Sequence, residues 1–358
     1  MCDFSEYGGP SEEWLTVEKT LPVPFFDFGA DPKGVKTVVN NGREDASAKL
    51  MEKLGPYVRM TDHSIPTRDG STIETRSYRA VSKSEDDILP AYLYFHGGGF
   101  LFGTLNSEDA ACANTAINTG AVVINVNYRH TPEYVFPTAW NDAQDAFIWL
   151  HKNTDKLRVD RSKVVVGGIS AGGQLTASLV LEQHLGKNEA LSGLPAIAAQ
   201  VLIIPALAHH ETYAEGPLKL MRTPEISSVV ENENAPILPM KACRIFTSLL
   251  KIHHVNLKDT KINILTAATS DDVKGMPPTM FGIAGLDPLR DEALLYAKLL
   301  SEAGVPTEVR LFKGVPHGFR RFGPALKASA QWDRAVEDGI AWSLKKPAAT
   351  GKFDIKVV

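Results

Sequence analysis

The chain has 358 residues, enough for two ordinary domains or for one large α/β domain with an appendage. Its 44% apolar and 22% charged residues are those of a folded globular protein, and 38 basic against 42 acidic residues leave a net charge of −4, the wrong sign for gathering nucleic acid. Cys2, Cys112 and Cys243 are too few and too scattered for a disulfide framework or a zinc ribbon. The acidic start lacks a secretory n-region, and no apolar run reaches the ~18 residues of a membrane span, so the expectation is a cytoplasmic protein.

In residues 1–60, Pro22, Pro24 and Pro32 punctuate an aromatic cluster of Phe25, Phe26 and Phe28, and residues 43–54 read as a helix. The segment is an appendage, either an arm packed on the core or a cap segment lining a ligand site. If it only walls a pocket, removing residues 1–40 should leave the catalytic geometry intact and weaken mainly hydrophobic substrates. From about residue 71 the pattern turns regular. β-Branched runs at 72–79, 91–95, 121–127, 163–167, 200–204, 279–284 and 307–312 alternate with helical patterns at 107–118, 138–152, 171–185, 290–303 and 330–344. Apolar strands each followed by a helix predict a mostly parallel sheet covered on both faces. Residues 206–276 interrupt this rhythm as an insertion, with a helical stretch at 240–253, and would join the first segment as a lid. The core is then 61–205 and 277–346, and 347–358 is a tail, either a surface strand or disordered.

Three local patterns carry chemistry. Gly168-Ile169-Ser170-Ala171-Gly172 lies between an apolar strand and a helical pattern, the context of a nucleophile elbow that exposes the serine Oγ at a strand end. His96-Gly97-Gly98-Gly99 follows another strand, and its glycines let backbone N–H groups approach a ligand oxygen as an oxyanion hole requires. A base should follow an acid in chain order; His317 follows the last strand, and Asp287 ends the one before it, with Asp291 and Glu292 as rivals at the start of a helix. His209-His210-Glu211 and His253-His254 lack the spacing of a zinc site, because adjacent side chains should diverge. Tyr128, Glu133 and Asp142 read as scaffold.

Together these residues resemble the hormone-sensitive-lipase-like esterases of the α/β-hydrolase superfamily. The match takes in His96-Gly97-Gly98-Gly99, Asn127-Tyr128-Arg129-His130-Thr131-Pro132-Glu133 with Phe136-Pro137, Gly168 to Gly173, Asp287-Pro288-Leu289-Arg290-Asp291 and His317-Gly318-Phe319, in the family's order across residues 71–345. The resemblance implies an α/β-hydrolase fold with a mainly helical cap and a triad of Ser170, Asp287 and His317. It also implies an oxyanion hole from the N–H groups of Gly98, Gly99 and Ala171. Two departures stand out: Ile169 where the family commonly has Asp, and His130-Thr131 in place of Leu-Ala. The expected activity is cofactor-independent, metal-free hydrolysis of a small-molecule carboxylic ester through a Ser170 acyl-enzyme, by a chain compatible with a homodimer. The same acyl-enzyme would serve a lactonase, a carbon–carbon bond hydrolase or an acyltransferase. A non-catalytic ligand-binding protein on this scaffold is the reading from another class, against which His317 stands.

Overall fold

A computed structural model describes residues 1–21 and 30–358. The strands β1 (Val58–Pro66), β2 (Thr72–Ala80), β3 (Leu89–Phe95), β4 (Val122–Val126), β5 (Val159–Ile169), β6 (Ala199–Ile203), β7 (Thr279–Leu286), β8 (Thr307–Pro316) and β9 (Lys356–Val357) form one sheet, ordered β1-β2-β4-β3-β5-β6-β7-β8-β9. β2 runs antiparallel to both β1 and β4, and every other neighbouring pair is parallel.

Side chains alternate along the strands and divide the core into two layers. Leu93, Phe95, Ile124 and Val166 face the helices Thr138–Lys152, Ala171–His184 and Arg290–Glu302. Tyr92, Tyr94, Val123 and Val165 face Leu105–Thr119 and Lys327–Ser343. Both faces are therefore buried, which is why these strands read as continuous apolar runs. From β3 the chain steps to β4 on one side and then to β5 on the other. This reversal leaves a crevice beyond the carboxyl ends of β3 and β5, the place where open α/β sheets bind ligands.

The sequence pattern misses one strand of the sheet, β1, and finds the tail's strand among its two alternatives. β1 is an edge strand with only Val58 and Ile65 buried, so it offers no apolar alternation to read. The tail ends as the short strand β9 beside β8. The predicted helix at 43–54 is the second half of a 23-residue helix, Pro32–Leu54, capped by the Asp31 carboxylate on Gly34 N–H.

Residues 1–21 are packed into the core. Trp14 is 1% exposed and lies 5.2 Å, ring to ring, from Phe322. Ser11 N–H donates to the Gly314 carbonyl at 3.0 Å, directly before the loop that carries His317. This packing argues that removing residues 1–40 would disturb the site rather than only a pocket wall. The aromatic cluster of Phe25, Phe26 and Phe28 lies outside the described residues. No described helix is long and apolar enough to cross a membrane.

Candidate active site

Ser170 ends β5 and caps the helix Ala171–His184 with φ 55° and ψ −114°, a strained conformation for a residue with a side chain. The turn is tight enough to demand its glycines. A Cβ on Gly168 would lie 2.2 Å from the Gly172 carbonyl oxygen, and one on Gly172 would lie 2.0 Å from the Phe95 carbonyl oxygen. The backbone is held by Ser170 N–H donating to Ile203 O at 2.9 Å.

The loop after β3 faces the same crevice, since Phe95 pairs with Gly168 across the β3–β5 ladder. Gly98 (φ 142°) and Gly99 (φ 62°) adopt conformations that side chains disfavour. A Cβ on Gly98 would meet the Phe102 carbonyl at 2.2 Å, and one on Gly99 the Phe246 ring at 2.3 Å. Two of the loop's carbonyls are tied back. Tyr128 Oη donates to His96 O at 2.8 Å, and both terminal nitrogens of Arg43 donate to Gly97 O at 3.2 Å. Arg43 also pairs with the buried Glu108 at 2.6 Å, whose other oxygen accepts from Tyr94 Oη. Ala171 is the first residue of its helix, so its N–H has no intrahelical partner and carries the positive end of the helix dipole.

His317 lies between Ser170 and Asp287. Its Nδ1 lies 2.7 Å from Asp287 Oδ2 and its Nε2 lies 3.0 Å from Ser170 Oγ. All three are buried, and Asp287 Oδ1 accepts from Leu289 N–H at 2.9 Å, which fixes the carboxylate's orientation. The rival acids are occupied elsewhere. Asp291 binds the fully buried Arg290 at 2.8 Å and caps Ser228 N–H of the insertion at 2.6 Å. Glu292 accepts from Leu207 N–H at 2.6 Å; burial, reinforced by the charge of Asp287 and opposed by that hydrogen bond, pushes its pKa up to about 8.

Ser170 and His317 open into a cavity of about 1530 Å³, walled by the helix Pro32–Leu54 and by the insertion residues Tyr213, Leu238 and Phe246. Ile169 lines it as an apolar surface beside the serine. His209 and His210 also line it, their rings 4.7 Å apart and inclined 31°, so these adjacent side chains do not diverge as expected. Each is engaged: His209 Nδ1 accepts from Glu211 N–H, and His210 Nδ1 bonds Thr247 Oγ1 at 3.0 Å. Among the described residues no three His, Cys, Asp or Glu side chains converge as a metal group would.

Tyr128 and Asp142 act as scaffold, Asp142 by gripping Arg129 at 2.6 Å, and Glu133 binds Lys36 at 3.0 Å. Behind the Gly97-Gly98-Gly99 loop His96 stacks on Tyr128 at 4.5 Å, and His130 packs against both rings. Arg43 is the site residue that sequence reasoning missed. Its only signal is a cation followed by Glu44 and Ser47 on one helical face, a pattern that usually means a solvated surface.

The signature of the α/β-hydrolase fold matches residues 92–321, and the chain belongs to that family, in its hormone-sensitive-lipase-like branch. Esterase LipI of Mycobacterium tuberculosis is 31% identical over 326 residues, 90% of this chain and 95% of that protein. Ethyl acetate hydrolase of Pseudomonas putida is 32% identical over 284 residues, 79% of this chain and 83% of that one. The solved Pyrobaculum calidifontis esterase superposes with a TM-score of 0.73 at 31% identity, covering 95% of this chain and 100% of that one.

Proposed function

We propose that this protein is a serine carboxylesterase in which Ser170 is the nucleophile, His317 the general base and acid, and Asp287 the group that orients His317. The observation that carries the reading is the unbroken hydrogen-bond chain from Asp287 through His317 to Ser170 Oγ. His317 Nε2 takes the Oγ proton as Oγ attacks the ester carbonyl. The tetrahedral oxyanion is received by the N–H groups of Gly98, Gly99 and Ala171, whose aim is maintained by the tied-back carbonyls of His96 and Gly97. The alcohol leaves with the proton from His317, and water then releases the acyl group by the same steps in reverse.

The helix Pro32–Leu54 and the insertion 206–276 act as the cap over this core, and their walls set which esters enter. The cysteines are free in the structure, which fits a reducing, cytoplasmic setting. An active-site-directed fluorophosphonate should label Ser170 stoichiometrically in the folded protein and abolish turnover of a p-nitrophenyl ester. Turnover that survives complete labelling, or folded protein that refuses the label, would refute the reading.

A further inference from the structure

Four cations stand on the wall of the cavity: Arg43, Arg320, Arg321 and Lys327. Arg43 is neutralised by Glu108 and Arg320 by Asp333. Arg321 and Lys327 form no ion pair with any described residue. The one hydrogen bond of the Arg321 side chain is from Nε to the Gly318 carbonyl at 3.2 Å. Its Nη2 lies 3.1 Å from the place where a Cβ on Gly318 would sit, so the guanidinium lies against the residue that follows His317. The Arg321 side chain is exposed and lines the cavity. Its guanidinium is charged at neutral pH and has no counter-charge among the described residues.

A guanidinium fork in this position suits a carboxylate, which it can bind through two parallel hydrogen bonds. His317 hands its proton to the leaving oxygen, and the Arg321 side chain is hydrogen-bonded to Gly318, the residue after His317, which favours a substrate charge on the alcohol portion. The wall beside Gly99 is apolar by contrast, with Phe102 and Phe246 at ring centroids 5.7 Å apart.

We propose that Arg321, backed by Lys327, is an anion-recognition subsite, and that the preferred substrates are esters whose alcohol portion bears a carboxylate. This rests on the esterase reading above. The test compares kcat/KM for para-acetoxybenzoate and its neutral analogue para-acetoxybenzamide in the wild type, Arg321→Gln and Arg321→Lys. Comparing the charged-to-neutral ratio between proteins cancels the intrinsic reactivity of the two esters. That ratio should fall by about ten- to a hundredfold in Arg321→Gln, the range expected for a hydrogen bond to a charged group, and recover in part in Arg321→Lys. In the wild type it should also shrink as salt is raised.

A second pair, p-nitrophenyl hemisuccinate and p-nitrophenyl succinamate, carries the charge on the acyl side. Charge selectivity confined to that pair would overturn the alcohol-side assignment, and a ratio untouched by Arg321→Gln in protein of unchanged melting temperature would overturn the subsite itself. Calorimetric binding of para-hydroxybenzoate to Ser170→Ala, with and without Arg321→Gln, separates the two readings. Arg321-dependent binding with no hydrolysis of any ester by the wild type would leave the subsite standing and the esterase reading fallen. Hydrolysis of the neutral ester without Arg321-dependent discrimination would do the reverse.

Discussion

Ser170, His317 and Asp287 have value only as a set, because the serine is a poor nucleophile until its proton has somewhere to go. Ser170→Ala and His317→Ala should each lower kcat by several orders of magnitude, and the double variant should lose little more, since each change already disables the unit. Strictly multiplicative losses in steady-state kinetics would contradict a shared mechanism. Asp287→Asn should cost about 10⁴ in kcat, because an amide at 2.7 Å from Nδ1 favours the tautomer that cannot accept the serine proton. Asp291→Asn is the informative contrast. Its carboxylate holds Arg290 and the Ser228 N–H, so the loss should appear as about 1–3 kcal/mol of stability in urea titrations, with kcat nearly preserved. A severe kcat loss there with a mild one at Asp287 would reverse the assignment.

Elements differ in how openly they announce themselves. Strands β3 to β8 were legible because both sheet faces are covered, and Asp287 and His317, the proposed acid and base, could be picked out because each follows the end of one of those strands. The helix Pro32–Leu54 was only half legible for a physical reason: the face it docks is polar. Asn40 accepts from Gly103 N–H at 2.9 Å, Glu44 binds Thr104 Oγ1 at 2.6 Å and Ser47 accepts from Ala110 N–H at 3.1 Å, while Asn40-Asn41-Gly42 looks like a turn. Hydrophobic periodicity cannot detect a helix attached in this way. Arg43 is the most consequential member of that face, since it ties the oxyanion loop through Gly97 O and compensates the buried Glu108. Arg43→Met should therefore lower kcat about tenfold with little change in KM. It should also destabilise the fold by roughly 1–3 kcal/mol, less than a fully buried pair would cost because the arginine is partly exposed. Adding Glu108→Gln should restore much of the stability while leaving kcat low, because the Gly97 tether stays missing; recovery of both together would assign Arg43 a purely structural role. Truncation should be harsher than any point change. Trp14→Ala alone, in a fully packed site, should cost about 3–5 kcal/mol, and deletion of residues 1–40 should yield protein that fails to fold rather than an esterase with a narrower substrate range.

At the scale of the whole molecule, buried titrating groups make stability depend on pH with two opposed slopes. Burial holds His96, His151 and His209 at about 4, and His130 well below the ordinary imidazole range. These rings are neutral in the folded chain, whereas the unfolded chain takes up their protons once pH drops below about 6.5. Their contribution is thus present above about 6.5 and is lost as pH falls toward 4, each ring adding at most about 1.4 kcal/mol per pH unit. Glu292 acts in the opposite sense. With its folded pKa raised to about 8, the folded state keeps a proton that the unfolded state releases near 4.5, so its contribution is full below about 4.5 and is lost as pH rises through 8. Urea titrations at intervals from pH 5 to 9 should give maximal stability near about pH 7, where the rising histidine contribution levels off against the falling one of Glu292. His130→Leu removes one ring nitrogen that has no partner and one proton uptake site, so it should flatten the acid limb without steepening the alkaline one. Glu292→Gln, which cannot ionise, should flatten the alkaline limb alone. If both variants keep the wild-type slopes, these buried groups do not set the pH dependence, and the acid limb would have to be traced to carboxylates in ion pairs such as Asp69 with Arg129.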